Sequence, residues 1–232
     1  MTTYLIIGAS SGVGKKLSEQ LVKSGHQVFG TYCKNEIHSD NPLVQYYQLN
    51  VLDETISFDF LPETLNGVIY CPGSINLRPF ERIKPADFIG DYNLQVVGAI
   101  KTIQAVMPKL KNSENAAIVL FSTVAVQMGL PFHSQVSASK GAIEGLTKAL
   151  AAEFSPKIRI NCIAPSLTDT PLAASLINNE QKREANALRH PLKRIGTTED
   201  IAYMAEFLLS EKASWITGQI LHVDGGMSAI KM

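Results

Sequence analysis

Short apolar runs alternate with amphipathic segments along almost the whole chain. Apolar runs rich in β-branched residues predict seven strands, at residues 4–7, 27–32, 44–49, 68–71, 117–121, 158–163 and 220–223. Between them, amphipathic spacing predicts helices at residues 13–24, 91–107, 137–154 and 199–209. Strands that alternate with helices are typical of a parallel sheet between two helical layers. The pattern therefore predicts an α/β fold with one doubly wound parallel sheet and helices on both faces.

One stretch, residues 171–189, does not follow this alternation and is bracketed by Pro171 and Pro191. It follows the sixth predicted strand, so it should lie near the carboxyl ends of the strands, where ligands bind in such sheets. We expect a mobile helical insertion at about residues 171–190 that acts as a substrate lid. The chain has no internal repeat or linker, and residues 1–232 are expected to form a single domain.

Composition excludes several classes of function. Lys and Arg number 21, as do Asp and Glu, so no basic field is expected to attract nucleic acid or an anionic membrane. The three cysteines are widely spaced, which favours a reducing, cytoplasmic setting. The N-terminal residues do not resemble a signal peptide, and no apolar run approaches the ~20 residues of a membrane span. No cluster has metal-ligand spacing, so no metal is predicted.

A glycine-rich segment directly follows the first predicted strand, with the sequence Gly8-Ala9-Ser10-Ser11-Gly12-Val13-Gly14. Gly8 allows a tight turn, Gly12 lets the backbone approach a pyrophosphate, and Gly14 allows close packing of helix on strand. The free N–H groups of the helix N-terminus then face the phosphates. In this strand–turn–helix context the segment predicts a dinucleotide site in a Rossmann-type domain.

The spacing of this turn resembles the GxxxGxG pattern of the short-chain dehydrogenase/reductase family. The resemblance extends through residues 161–165, 191–196, 199–202, 216–219 and 223–226, which look like the family's later signatures in order. Within the family, the chain resembles the 3-oxoacyl-carrier-protein reductases. The resemblance implies a nicotinamide-dependent oxidoreductase that acts on a small-molecule or carrier-bound carbonyl substrate, with a 3-oxoacyl group as the best analogy. It also implies a homodimer or homotetramer.

The resemblance assigns cofactor contacts along the chain. Besides the three glycines, the implied contacts are Ser10, Ser11 and Val13 at the pyrophosphate and ribose, Asn50 and Val51 at the adenine, Cys71, Pro72 and Gly73 at the ribose-side wall, and Pro165, Thr168 and Thr170 at the nicotinamide. The wall is altered, because the family has Asn-Asn-Ala-Gly where this chain has Tyr70-Cys71-Pro72-Gly73.

The end of the second strand bears on the choice of dinucleotide. An NAD enzyme needs a carboxylate there for the ribose 2′-hydroxyl, and that carboxylate would repel a 2′-phosphate. This chain has no acid before Glu36, while Thr31 offers a hydroxyl and Lys34 a positive charge. The residues favour NADP. NAD stays an alternative, because Ser11 stands where many NADP-binding relatives carry Arg.

The resemblance also places the reaction site on the third predicted helix. In the family a Tyr donates the proton, a Lys four residues later lowers the Tyr pKa, a Ser holds the carbonyl oxygen, and an Asn anchors a relay water. Lys140 matches the Lys, Thr123 keeps a hydroxyl at the Ser position, and Asn93 matches the Asn. The Tyr position is Val136, which has no proton to give.

Three hypotheses follow from Val136. The protein is a reductase with another proton donor, either His133 or a water held by Asn93 and Lys140; or it is a non-catalytic dinucleotide-binding subunit that pairs with itself or with an active homologue; or Val136 is a substitution introduced into the chain. His133 also suits a surface loop before a helix. Tyr70 and Tyr92 fall near the right strand ends, but packing roles suit them better.

Overall fold

The computed structural model describes residues 1–231 and contains one seven-stranded parallel sheet in the order β3-β2-β1-β4-β5-β6-β7. The strands are β1 (Thr3–Ile7), β2 (Gln27–Tyr32), β3 (Val44–Gln48), β4 (Gly67–Tyr70), β5 (Ala116–Phe121), β6 (Ile158–Pro165) and β7 (Ile220–Val223). All seven predicted strands are present, with ends shifted by at most two residues. The predicted fold class is confirmed.

Seven α-helices accompany the sheet within the described residues. They are α1 (Gly12–Lys23), α2 (Pro85–Tyr92), α3 (Gly98–Lys111), α4 (Val124–Met128), α5 (Ser134–Phe154), α6 (Glu180–Leu188) and α7 (Thr198–Leu209). A π-helical segment, Asn93–Val97, joins α2 to α3. The first and last predicted helices are confirmed within one residue, and α5 begins three residues earlier than predicted.

The predicted helix at 91–107 has the wrong beginning, because the helical stretch already starts at Pro85. Proline suits this position since its fixed φ fits a first helical turn and its missing N–H is not needed there. The Asp87 carboxylate accepts a hydrogen bond of 3.1 Å from the Lys84 N–H, which caps the same end. The π-helical segment then changes the direction in which the following side chains point.

Alternate residues of the buried strands enter two different cores. Leu5 of β1 packs with Ile103 of α3 and Ile143 of α5 on one face of the sheet. Ile6 packs with Leu17 of α1 and helix α7 on the other face. Burial on both faces explains why these strands have nearly continuous apolar sequences.

The strand order reverses beside β1, because β2 and β4 lie on its two sides. At such a switch point the loops after neighbouring strands diverge and leave a crevice at the carboxyl edge. The predicted insertion follows β6 at this edge. It consists of a 3-10 segment, Pro171–Leu176, and helix α6, and Asn179 caps α6 by accepting a 2.8 Å hydrogen bond from the Lys182 N–H.

Candidate active site

The glycine-rich turn after β1 has a backbone that larger residues would disrupt. Gly8 and Gly12 have φ angles of +80° and +54°, in the left-handed region that favours glycine. A Cβ on Gly14 would lie 2.2 Å from the Gly8 carbonyl oxygen. Ser11 precedes α1 in an extended conformation, and its side chain makes no capping hydrogen bond among residues 1–231. The first N–H groups of α1 are therefore free to bind a diphosphate.

The end of β2 supports this turn. Thr31 is 1% exposed, its Oγ accepts a 3.2 Å hydrogen bond from the Gly8 N–H, and its carbonyl accepts one of 2.8 Å from the Ala9 N–H. Thr31 thus stabilises the turn through two hydrogen bonds. Its side chain is buried, so the structure does not place it for the direct cofactor contact predicted for it. Lys34 lies in the loop after β2 and is exposed. Of the two residues predicted at the end of β2, only Lys34 has a side chain that a ligand can reach.

The loop after β3 also differs from the prediction in detail. The Asn50 side chain is bound within its own turn, where its Nδ2 donates to Asp53 at 2.7 Å and its Oδ1 accepts from the Leu52 N–H at 3.2 Å. Val51 is 5% exposed and belongs to the core. Only the backbone of Val51 is therefore placed to border an adenine.

A cavity of about 330 Å³ lies at the carboxyl edge of the sheet. It brings together ten of the predicted positions, namely Val13, Cys71, Gly73, Thr123, His133, Val136, Lys140, Pro165, Thr168 and Thr170. The glycine-rich turn joins it through Thr170, whose Cβ would lie 3.6 Å from a Cβ built on Gly12. The other predicted residues are outside the cavity wall, namely Gly8, Ser10, Ser11, Gly12, Gly14, Thr31, Lys34, Asn50, Val51, Pro72 and Asn93.

Lys140 is the basic group on the α5 side of this cavity. Burial lowers its pKa to about 8, although the neighbouring Cys162, Asp91 and Cys71 act in the opposite direction. Burial also raises the thiol pKa of Cys71 and Cys162 to about 12, so both thiols stay protonated. A lysine with this pKa exchanges a proton near neutral pH, whereas the two thiols are unreactive at that pH.

Three residues of α5 and its N-cap face the cavity with helical spacing. His133, Val136 and Lys140 are three and four positions apart, which places them on one side of the helix. Val136 is 8% exposed and gives this side an apolar centre. His133 has its Nδ1 2.7 Å from the Pro131 carbonyl oxygen, which only accepts, so Nδ1 carries the proton. His133 remains a predicted proton donor.

The structure corrects the prediction for Asn93, which is exposed and outside the cavity wall. Gln95, two positions later, is 1% exposed and contributes to the wall. Both residues belong to the π-helical segment, where the Asn93 side chain is exposed and the Gln95 side chain is buried on the cavity side. The water predicted between Asn93 and Lys140 would therefore have Gln95 as its amide partner.

Gln95 belongs to a buried polar cluster behind the cavity. Its Nε2 lies 2.8 Å from both carboxylate oxygens of Asp91, which also accept hydrogen bonds from Ser74 and, at 2.5 Å, from Ser139. The Gln95 Oε1 has no hydrogen-bond partner within residues 1–231. A Cβ on Gly73 would lie 3.4 Å from this oxygen and 3.9 Å from the Lys140 Nζ. The unpaired acceptor and the lysine thus flank the same glycine.

Neither tyrosine near the strand ends takes the place of the missing proton donor. The Tyr70 hydroxyl is buried in the core and donates a 2.6 Å hydrogen bond to the Leu94 carbonyl in the π-helical segment. Burial raises the pKa of Tyr70 well above its ordinary value. Tyr92 is 43% exposed and lies outside the cavity wall, so it is not placed to donate a proton there.

Sequence reasoning missed two polar residues of the wall that form a pair. Ser166 follows the last residue of β6, and its Oγ lies 2.8 Å from the Nε2 of His190, which follows α6. Both side chains line the cavity. They are 24 positions apart, and the only local signals are a serine directly after a strand and a histidine directly before Pro191.

Fold and cavity together define a Rossmann-type oxidoreductase. The chain belongs to the short-chain dehydrogenase/reductase family, because residues 8–228 match the family model described as enoyl-(acyl carrier protein) reductase. Among known proteins it is similar to the 3-oxoacyl-[acyl-carrier-protein] reductase FabG of Thermotoga maritima, with 31% identity over 96% of each chain. It is 32% identical to the protein of the same name from Rickettsia prowazekii, over 97% of this chain and 96% of that one.

Solved structures share the whole fold. The structure described as ElxO with NADP bound is 26% identical, covers 99% of both chains and has a TM-score of 0.87. The aldohexose dehydrogenase of Thermoplasma acidophilum has a TM-score of 0.88 over 100% of this chain and 96% of that one. Its identity is 24%, so this second likeness concerns the fold alone. Among the described residues, no helix is long and apolar enough to cross a membrane.

Proposed function

We propose that the protein is an NADPH-dependent reductase of carbonyl compounds, with a carrier-bound 3-oxoacyl group as the preferred substrate. One observation carries the proposal: the open N-terminus of α1 at the glycine-rich turn adjoins a largely apolar cavity. Lys140 and Thr123 line that cavity. The first feature suits a diphosphate, and the second suits an acyl chain whose carbonyl needs a polar contact.

The chain's own residues fit a dinucleotide. A Cβ at position 14 would collide with the turn, so Gly14 keeps open the close approach that a diphosphate needs. The bound cofactor would supply a hydride. Lys34 is exposed where a ribose 2′-phosphate is expected, and the similar ElxO structure is described with NADP bound, so NADP is favoured over NAD.

Thr123 and Lys140 have separate roles in this proposal. Thr123 is the N-cap of α4, and its Oγ accepts a 3.3 Å hydrogen bond from the Ala125 N–H, which leaves its own proton to donate to a carbonyl oxygen. Lys140 contributes positive charge near the developing alkoxide. The proton itself must come from a group other than Val136. The donors proposed from the sequence are His133 and a water held by Asn93 and Lys140, and Gln95 takes the place of Asn93 in the cavity wall.

Residues 171–190 are proposed as the substrate lid. Leu172, Ala173 and Leu176 from this segment contribute to the cavity wall, and they give it an apolar cover. The relatives named as 3-oxoacyl-[acyl-carrier-protein] reductases support an acyl substrate of this kind.

A homodimer or homotetramer is proposed through α5. Ala138, Gly145 and Ala149 are small and exposed, and nothing lies within 4 Å of a Cβ built on Gly145. Small side chains let a second helix approach closely. Sedimentation equilibrium of the wild type and of Gly145→Arg tests this, because a bulky charge at the contact should give monomers.

The decisive experiment for the reaction follows NADPH absorbance at 340 nm with 3-oxoacyl thioesters, simple ketones and enoyl thioesters. Turnover of the 3-oxoacyl thioester above the others supports the proposal. Val136 favours one alternative, a dinucleotide-binding subunit without activity of its own. NADPH binding without turnover of any substrate would support that alternative, and the absence of NADPH binding would contradict both.

A further inference from the structure

The Ser166–His190 pair has a defined arrangement of protons. The Nδ1 of His190 lies 2.8 Å from the backbone carbonyl oxygen of Asn186, which can only accept. Nδ1 therefore carries a proton, and in the neutral ring Nε2 is an acceptor. The Ser166 hydroxyl then donates its proton to Nε2 across 2.8 Å. This is the arrangement of a hydroxyl whose proton is shared with a base.

The same contacts work in the opposite direction when the ring is protonated. Nε2 then donates to the Ser166 oxygen, and the hydroxyl donates instead to the Met227 Sδ, 3.1 Å away, which also lines the cavity. Thioether sulfur is a weak acceptor, so a substrate oxygen can take its place. No heavy atom has to move between the two states, because the Asn186 carbonyl holds Nδ1 in both. The pair can therefore pass one proton toward the cavity and later regain one.

Ser166 lines the cavity in which the proposed function places the reacting carbonyl. It stands between Pro165 and Thr168, the residues proposed to contact the nicotinamide. The Thr168 Oγ donates a 3.0 Å hydrogen bond to the Ser166 carbonyl, which fixes the loop. Thr123 lines the same cavity. A substrate oxygen held by Thr123 would share its cavity with the Ser166 hydroxyl.

Several charged groups line the two cavities that His190 also lines. Arg189 and Lys140 share the main cavity with it. An adjoining cleft of about 140 Å³, which Ser166 and His190 also line, holds Arg194, Asp200 and Asp224. Arg194 and Asp200 are paired by hydrogen bonds of 2.5 and 2.8 Å. Asp224 accepts from the Gly226 and Ser228 N–H groups, so the carboxylates near His190 are already engaged.

We propose that Ser166 is the proton donor that replaces the missing tyrosine, and that His190 resupplies its proton. The inference rests on the proposed function. The carbonyl carbon receives a hydride from NADPH, and the C=O π electrons move to oxygen. The Ser166 O–H bond breaks as the substrate O–H bond forms, while the Nε2 proton of His190 passes to the Ser166 oxygen. His190 is left neutral, NADP⁺ and alcohol are the products, and a solvent proton restores the ring.

A double-mutant cycle tests the proposal by single-turnover reduction of a 3-oxoacyl thioester. Ser166→Ala and His190→Gln should each slow reduction by ~10²-fold, the usual effect of losing a proton-transfer group. NADPH binding should stay within about twofold, which shows that the variants are folded.

The same substitutions are then made in a Val136→Tyr background, where tyrosine supplies the proton. There the loss on Ser166→Ala should shrink to a few-fold, because the relay is bypassed. His26→Gln is a matched control, since His26 also binds a hydroxyl, that of Thr2 at 2.8 Å, before β2 at the opposite edge of the sheet. It should leave the rate unchanged.

Each other outcome overturns the relay. An equal loss from Ser166→Ala in both backgrounds would mean that the pair only ties α6 to the β6 loop. A loss confined to His133→Ala would assign the donor to His133. If only Val136→Tyr turns over, the site is a reductase site that lacks a donor, and the relay is wrong. If neither protein turns over while both bind NADPH, the proposed function fails and the relay fails with it.

Discussion

The two ends of the candidate site are built from different parts of the chain. The glycine-rich turn is made from backbone: the φ angles of Gly8 and Gly12, the absent Cβ of Gly14 and the free N–H groups of α1. The other end is the part of the cavity wall that α5 contributes, and its chemistry depends on side-chain atoms, above all those at positions 136 and 140. A backbone site persists while no side chain intrudes, whereas a reaction site can lose its chemistry through one residue. Binding and turnover should therefore respond separately to substitution.

The largest expected effect comes from restoring a phenol at the reaction end. Val136→Tyr should raise the single-turnover rate of carbonyl reduction by ~10²–10³-fold, because it adds a general acid one helical turn before Lys140. Affinity for NADPH should change by less than about threefold. Stopped-flow absorbance at 340 nm measures the rate, and calorimetry measures the affinity.

Val136→Phe is the matched control, since it adds the ring without the hydroxyl. It should show no gain in rate. An equal gain from phenylalanine would mean that the size of the side chain at position 136, and not its acidic hydroxyl, limits the reaction. It would contradict the claim that this position affects turnover through proton donation alone.

The next largest effect tests the other end. Gly14→Ala should weaken NADPH binding by ~10²-fold and lower the free energy of unfolding by about 2–3 kcal/mol, because the new Cβ would collide with the Gly8 carbonyl oxygen. Gly90→Ala is the control, in α2 with nothing within 4 Å of the new Cβ. It should raise stability by about 0.5–1 kcal/mol. Unaltered NADPH binding in Gly14→Ala would contradict a site made by backbone approach.

The same division explains what the sequence alone could predict. Buried parallel strands and a glycine turn follow from local composition, and both were predictable to within a residue or two. The Asn93 prediction was wrong because a π-helical segment and an earlier helix start, at Pro85, rotate Gln95 toward the cavity. Ser166 and His190 were missed because only the fold brings together residues from the end of β6 and from the loop after α6.

Lys140 gives a measurable sign of burial at the reaction end. A lysine in water titrates near ~10.4, and burial lowers the pKa of Lys140 to about 8. Its ammonium form is therefore present below pH 8 and is lost as pH rises through that value. NMR of ¹³C-methylated lysines should show one resonance that titrates near pH 8 and is absent from Lys140→Met. A titration of that resonance above about pH 10 would contradict a buried amine.

The smallest expected effect separates the two dinucleotides at the binding end. Lys34 is exposed, and an exposed ion pair contributes only about 0.5–1 kcal/mol, so Lys34→Ala should weaken NADPH binding by about three- to fivefold. NADH has no 2′-phosphate and should bind with unchanged affinity. Lys34→Glu should act in the same direction and more strongly, because it places a carboxylate where NAD-binding proteins have one. Lys23→Ala, at the exposed end of α1, is the control for a general loss of positive charge. Equal losses for NADPH and NADH would mean that Lys34 does not read the 2′-phosphate, and the preference for NADP would then need another residue at this corner.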